Sequence, residues 1–292
     1  MASRTYETVG LIEDISDVLT NISPKDTPYY SMFSKGEATG MEHSWLTDSL
    51  RAPGANKHAE DADLAAAAAT PRVKLTNSVQ IFQSGYWVTE SQQAVLKAAV
   101  KDELGLQMQK CMKELALDVE WAYVNQNTRA TSAQSTVGQL GGVRMFNDVN
   151  VIDNEGTPRA FEEALVNDAM EAQWKKGGNA DFLFCSGKNK RTLSGFTAGT
   201  TKNRDMTDKK LVNVIEVYES DFGTVRTMAH RLYDNTRIDI LQTDLFRTCY
   251  LIPFKQTPLP KDSLKIGKNI NGQLTLECRT KDAHAAIIDL QA

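Results

Sequence analysis

The side chains able to do acid–base, nucleophilic or metal chemistry are scattered along this chain. There are four histidines, His43, His58, His230 and His284. None has a second His or a Cys at metal-ligand spacing. The four cysteines, Cys111, Cys185, Cys249 and Cys278, stand far apart in apolar surroundings. No close pair makes a metal knuckle or a redox motif, so they read as reduced thiols buried as small hydrophobes in a reducing cytosol. Around Gly187-Lys188 the phosphate-loop pattern fails twice. Phe182 stands where the first Gly belongs, and Asn189 where Ser or Thr would hold magnesium. The nucleophile-elbow pattern fails at Ser194, because Thr192 replaces the leading Gly. Glu162 and Glu163 are adjacent and do not face each other on a helix, so they and Asp168 read as a solvated face. Basic groups cluster at Lys175-Lys176, Lys188 to Arg191 and Lys202 to Lys210. They read as a wet surface, with weak phosphate contact as the sharper alternative, because no aromatics are interleaved for base stacking. These patterns assign no catalytic, cofactor-binding or metal residue.

The elements that would have to position any site are ordinary in composition. The chain has 292 residues, 41% of them apolar and 24% charged, with 33 Lys+Arg against 37 Asp+Glu and a net charge of −4. That balance excludes disorder throughout and argues against a dedicated nucleic-acid binder, which carries a basic surplus. No apolar run approaches the roughly 20 residues that span a bilayer. The opening residues lack the apolar segment of a secretory signal.

Along the chain, residues 1–47 read as an arm. Leu11, Ile12, Ile15, Val18 and Leu19 recur at helical spacing, and Pro24 and Pro28 break the pattern. Tyr29, Tyr30, Met32 and Phe33 form a compact apolar cluster on that arm. Residues 48–89 combine a stretch of turn formers and charges, an alanine run from Ala65 to Ala69, and alternating strand patterns from Arg72 to Val88. A segment with so few large apolar groups needs a partner surface. One helix is expected over 90–126, with Leu104, Met108, Met112, Leu115, Val119, Ala122 and Tyr123 on its apolar face. Its length would be roughly 50 Å at 1.5 Å per residue. Residues 127–157 read as loop. A helix is expected from Thr157-Pro158 to Gly177-Gly178. Strands are expected at Phe182–Cys185, Val212–Val217, Thr224–Thr227, Ile238–Leu241, Arg247–Ile252 and Gln273–Cys278, with a helical turn over Lys188–Leu193 and a loop over Pro253–Gly267. The fold class is α+β, without the regular alternation of a doubly wound sheet. The residues alone leave open an α+β enzyme with an unrecognised site and a phosphate- or nucleic-acid-binding module.

The order of several segments nevertheless resembles one family. Thr5-Tyr6-Glu7-Thr8-Val9-Gly10, Asp14-Ile15-Ser16-Asp17-Val18 and Ile22-Ser23-Pro24-Lys25-Asp26-Thr27-Pro28 resemble the N-terminal arm of tailed-phage major capsid proteins of the Hong Kong-type fold. His43 to Leu50 and Pro53-Gly54-Ala55-Asn56 are similar to the lead into that family's extended loop. Ala160 to Gly178, Ser186 to Lys190, Val217 to Thr224, Tyr250 to Phe254 and Leu274 to Arg279 match later parts; 127–157 has no match. The resemblance implies an N-terminal arm (1–47), an extended loop (48–89), a peripheral domain with a spine helix (90–149), an axial domain (150–245) and return strands of the peripheral domain (246–292). It also implies a homo-oligomer of hexamers and pentamers forming an icosahedral virion head, made in the host cytoplasm. Scaffold, portal and decoration proteins are the implied partners, with packaged double-stranded DNA confined rather than specifically bound, no membrane, no enzyme activity and no cofactor. Some relatives cross-link through a lysine and an asparagine, and no pair here matches well enough to carry that over. Subunit-contact residues are expected at Tyr29, Tyr30, Phe33, Pro53, Asn56, Lys57, Glu60, Asp61, Asp63, Arg72 and Lys74.

Overall fold

A computed structural model describes residues 26–61, 63, 70–95, 102–196, 217–261 and 263–292. The expected arm helix around Leu11–Leu19, the alanine run, the Lys202–Lys210 basic cluster and the start of the strand expected from Val212 lie outside them.

Two sheets and two cores organise the described residues. The first sheet has four strands in the order β1 (Ser34–Glu37), β10 (Phe246–Pro258), β11 (Lys265–Cys278) and β4 (Gln80–Thr89). β1 runs parallel to β10, while β11 is antiparallel to both of its neighbours. Along β4 the odd-numbered residues point to solvent, and Phe82, Tyr86 and Val88 point inward, the two-residue period of a half-buried strand. The helix α3 (Glu103–Asn125) packs on this sheet and buries Cys111, Leu115, Val119, Ala122 and Tyr123. These residues lie three and four apart, so they share one face of the helix.

The second sheet has six strands in the order β5 (Val151–Ile152), β12 (Ala285–Ile287), β9 (Ile238–Leu241), β6 (Phe182–Cys185), β8 (Gly223–Ala229) and β7 (Val217–Ser220). α5 (Glu163–Lys175) and α6 (Gly187–Phe196) contribute Val166, Ala169, Met170 and Leu193 to its core. A separate hairpin, β2 (Glu42–Thr47) with β3 (Val73–Ser78), carries the long excursion between them. The short helices are α1 (Pro28–Met32), α2 (Glu90–Ala94) and α4 (Val143–Phe146). The α+β class holds.

Several local expectations are corrected. The helix expected over 90–126 is not continuous. α2 stops at Val95, whose ψ of 131° is extended, and α3 begins after Asp102. The 23 residues of α3 span about 35 Å, not 50. The helix expected from Pro158 starts only at Glu163, after an extended Glu162. The loop expected over Pro253–Gly267 is mostly strand, because β10 and β11 continue as a two-stranded ribbon past the core. Its exposed end has no apolar alternation to reveal it. The return strands expected over 246–292 divide between the sheets, since β12 pairs with β5 and β9 rather than with β10 or β11.

The segment 127–157, read as polar loop, supplies buried Leu140, Val143 and Phe146 to the first core. Gly142 makes this possible. Its N–H donates to Gln126 O at 2.8 Å, and a Cβ there would stand 2.5–2.9 Å from the backbone oxygens of Tyr123, Ala122 and Gln126. The returning chain therefore crosses the C-terminal end of α3 at backbone contact.

Candidate subunit-contact surfaces

The hairpin β2–β3 has a fixed base and an uncovered tip. At the base, the Asn77 side chain is buried and fully engaged. Its Nδ2 donates to Gly141 O at 2.9 Å and Leu276 O at 2.7 Å, and its Oδ1 accepts from the N–H groups of Gly141 and Ser78. Trp45 Nε1–H donates to Cys278 O at 2.7 Å, and Thr275 Oγ1 donates to Ser78 O at 2.8 Å. Glu42 accepts from Thr131 and Arg129, and those two bonds hold its carboxyl below the usual range. Buried, charge-assisted or saturated bonds of this kind fix an element's direction.

Beyond the base the picture reverses. Every described residue from 48 to 74 is exposed, and Leu50 is 97% exposed. Pro53, Asn56, Lys57, Glu60, Asp61, Asp63, Arg72 and Lys74 all lie here, open to solvent. Among the described residues Arg72 pairs with Asp48, at 3.4 Å on the surface, a pair worth little in water. A chain held out this way pays its ordering entropy with no burial of its own.

The aromatic cluster of the arm is placed otherwise than expected. Tyr29 and Phe33 are buried in the subunit's own first core and cannot offer their rings to a neighbour. Phe33 stacks on Phe246 with centroids 5.0 Å apart, and Tyr29 meets Phe184 edge-on at 4.5 Å. Tyr30 is half-buried, its hydroxyl accepting from Tyr250 Oη at 3.0 Å. The reason is a buried acid that the sequence did not advertise. Glu120 of α3 is fully buried, and its Oε1 and Oε2 accept the N–H groups of Tyr29 and Tyr30, each at 2.9 Å. Those are first-turn donors of α1, whose N-cap residue Thr27 makes no side-chain bond. Glu120 thus caps α1 from another helix. His230 Nε2 closes on Glu120 Oε1 at 2.7 Å. Tyr29 and Tyr233 join hydroxyls at 2.5 Å, and Tyr233 Oη donates to Asp239 Oδ2 at 2.6 Å. Burial drives both phenols well above their ordinary pKa. The groups of this network are sealed from water, so they fasten the arm to both cores and offer no substrate access.

Apolar surface is available elsewhere. On the outer face of β4, Ile81 and Trp87 are more than half exposed, and the Trp87 indole lies across the backbone of Gly267. Met112 and Trp121 are exposed on the outer side of α3, and Leu46 and Val73 on the hairpin. Among the described residues no helix is long and apolar enough to cross a membrane.

The four cysteines are free and buried. Burial, first, and the neighbouring Glu277 push the Cys249 thiol up to about 12. Burial acts to raise Glu277, but hydrogen bonds from His43 and Cys249 outweigh it and hold that carboxyl below its usual range. One shallow hollow of about 390 Å³ lies between β1 and β10, lined by Lys35, Glu37, Tyr250 and Pro253 among others. No His or carboxylate pair converges on it beyond Glu37.

Residues 2–291 match the family model of the SU10 major capsid protein. No curated protein sequence matches the chain. The structure is similar to a subunit of the cyanophage A-1(L) capsid, with a TM-score of 0.65, 15% identity and 99% of each chain covered. It is similar to the capsid of a native GTA particle (TM-score 0.69, 10% identity, 98% of each chain). It also resembles a chain of the satellite phage P4 procapsid that includes the size determination protein (TM-score 0.55, 11% identity, 93% of each chain). At these identities the structural matches carry the fold, and the match along nearly the whole sequence carries the family: the chain belongs to the SU10 major capsid protein family.

Proposed function

We propose that copies of this subunit associate into hexamers and pentamers that tile a closed icosahedral head around phage double-stranded DNA. The observation that carries the assembly step is the hairpin with a bonded base and a tip whose described residues are all exposed. A segment of this kind gains its stability by lying on a neighbour. Ring contacts of this type are heterologous, one surface meeting a different one, and they repeat around the symmetry axis. Each should bury on the order of 1,200–2,000 Å². Pro53, Asn56, Lys57, Glu60, Asp61, Asp63, Arg72 and Lys74 are the proposed contact residues, with Ile81 and Trp87 beside them. Residues 48–79 serve as the extended loop, 80–149 and 246–278 as the peripheral domain, since β4 is a core strand of the first sheet, and 150–245 with β12 as the axial domain.

The role is structural rather than enzymatic. Glu120, His230, Tyr233 and Asp239 converge in a buried, bonded network. A net charge of −4 suits a wall that confines DNA without gripping it. Synthesis in the host cytoplasm, with scaffold, portal and decoration proteins as partners, completes the proposal.

The test is deletion of Ala55 to Pro71. The shortened subunit should keep the parent's circular dichroism and melting transition, because the deleted residues contribute no buried side chain among those described. Size exclusion and negative-stain microscopy should show loss of rings and shells. Normal shells from the deletion variant would overturn the loop's role.

A further inference from the structure

We propose that His43, Cys249 and Glu277 form a binding site for a zinc-class divalent cation, which ties the base of the β2–β3 hairpin to the β10–β11 ribbon. The three residues come from three strands. Glu277 pairs with Arg247 across the β10–β11 ladder, so Cys249 stands two positions along β10 on the same face. His43 reaches them from β2. His43 Nε2 lies 3.0 Å from Glu277 Oε2, and Cys249 Sγ lies 3.3 Å from the same oxygen. The three donor atoms all fall within 4.8 Å of one another.

A tetrahedral zinc ion with bonds of about 2.0–2.3 Å sets its ligand atoms about 3.3–3.6 Å apart. The two close edges therefore need to open by about 0.3–0.4 Å, and the third edge, Cys249 Sγ to His43 Nε2, which lies within 4.8 Å, has to settle at about 3.5 Å to hold the ion. The donor set also selects the metal. One sulfur, one imidazole nitrogen and one carboxylate oxygen suit zinc, whereas magnesium and calcium require oxygen shells. On binding, the Cys249 thiol releases its proton to solvent, and the His43–Glu277 hydrogen bond gives way to two metal bonds. The thiolate and carboxylate then neutralise the dication, which limits the cost of holding it in a half-buried place.

Two features of the surroundings agree. A Cβ at Gly36, the residue of β1 opposite Cys249, would stand 2.9 Å from the sulfur, so glycine there leaves the thiol its space. The His43 and Glu277 side chains remain 15% and 13% exposed, which leaves a solvent side for ion access and for a water as fourth ligand. The site is independent of how subunits assemble, since all three ligands belong to one chain.

The test uses the full-length unassembled subunit, reduced and stripped with chelator, titrated with Co²⁺. The wild type should develop a thiolate-to-cobalt charge-transfer band and tetrahedral visible bands, bleached by Zn²⁺ and untouched by Mg²⁺. Cys249→Ser should abolish the charge-transfer band. Glu277→Gln should weaken Co²⁺ binding by at least the roughly tenfold that loss of an outer-shell partner costs. Cys278→Ser should leave the band intact, which separates this site from the other thiol–imidazole pair, Cys278 with His284 at 3.4 Å. Zn²⁺ should raise the melting temperature of the wild type but not of Cys249→Ser. Should Cys249→Ser fail to fold, His43→Ala serves in its place, with weakened Co²⁺ binding expected. Absence of the charge-transfer band in the wild type, its persistence in Cys249→Ser, or unweakened binding by His43→Ala would overturn the proposal.

Discussion

Replacing Glu120 by alanine should unfasten the arm from the body of the subunit. The side chain is fully buried and accepts the N–H groups of Tyr29 and Tyr30, with His230 Nε2 as a third neighbour. Pro28 has no N–H, and the Thr27 side chain makes no cap. Among the described residues, Glu120 is the acceptor recorded for those two donors. A buried donor left unpaired costs about 1–3 kcal/mol, and breaking a buried paired group costs about 3–5 kcal/mol in all. Partial relaxation of this short helix lowers the first figure, so the expected loss for Glu120→Ala is about 3–4 kcal/mol, a large part of an ordinary domain's stability. Glu120→Gln keeps the volume and one acceptor oxygen, and should lose about 1–2 kcal/mol. Urea unfolding of the unassembled subunit, followed by tryptophan fluorescence, gives both values. Hydrogen exchange read at the Tyr29 and Tyr30 amides should speed up more than at the β9 amides. A loss within about 0.5 kcal/mol for Glu120→Ala would refute the idea that this acid caps the arm helix.

Three further outcomes are expected. His284 is buried, stacked on Phe246, and its Nδ1 accepts from the Gln242 N–H. Burial lowers its pKa from 6.5 to about 4. The unfolded chain then binds the extra proton first, so stability is full above pH 6.5 and falls as pH drops from 6.5 towards 4, by on the order of 3 kcal/mol. Denaturation between pH 4 and 8 measures this, and His284→Gln should flatten the slope over that window. Gly142→Ala should cost about 1–3 kcal/mol or more, because its Cβ meets three backbone oxygens that cannot rotate away; thermal unfolding checks it. Trp87→Glu should leave the unassembled subunit's melting temperature nearly unchanged, since Trp87 is 58% exposed, yet reduce ring and shell formation in light scattering.

How far these features could be read from the residues depends on the range of the interaction. Alternation over Gln273–Cys278 announced a strand because one side of it faces a core, whereas Val73–Thr76 alternates in sequence although Val73 and Lys74 are both exposed on the hairpin. The Phe182–Cys185 strand was legible from its dense apolar run and the Thr224–Thr227 strand falls within β8, while of the strand expected over Val212–Val217 only Val217, the first residue of β7, is among the described residues. The outer ribbon of β10 and β11 was not, since strands beyond the core carry no apolar period. Nothing between Ala94 and Asp102 signalled the end of α2, because neither Gly nor Pro falls there. The arm's Tyr29 and Phe33 looked sticky because aromatic side chains do, and only Glu120, some 90 positions on, decides that they face inward. The buried polar groups follow the same rule. Asn147 donates to Asp239 and Ala285, and Asn150 to Asp282 and His284, so a stretch read as loop became core through long-range bonds. His43, Cys249 and Glu277 have no spacing to recognise. Strand register brings Cys249 and Glu277 together, and the packing of the β2–β3 hairpin against that sheet brings His43 to them.

The exposed loop makes the central claim directly measurable. Cryo-electron microscopy of the purified protein, assembled alone or with a co-expressed scaffold, should show closed icosahedral particles built of hexamers and pentamers. Residues 48–72 should lie against the neighbouring subunit in each ring. A protein that stays monomeric under these conditions, or shells in which that loop folds back onto its own subunit, would contradict the account.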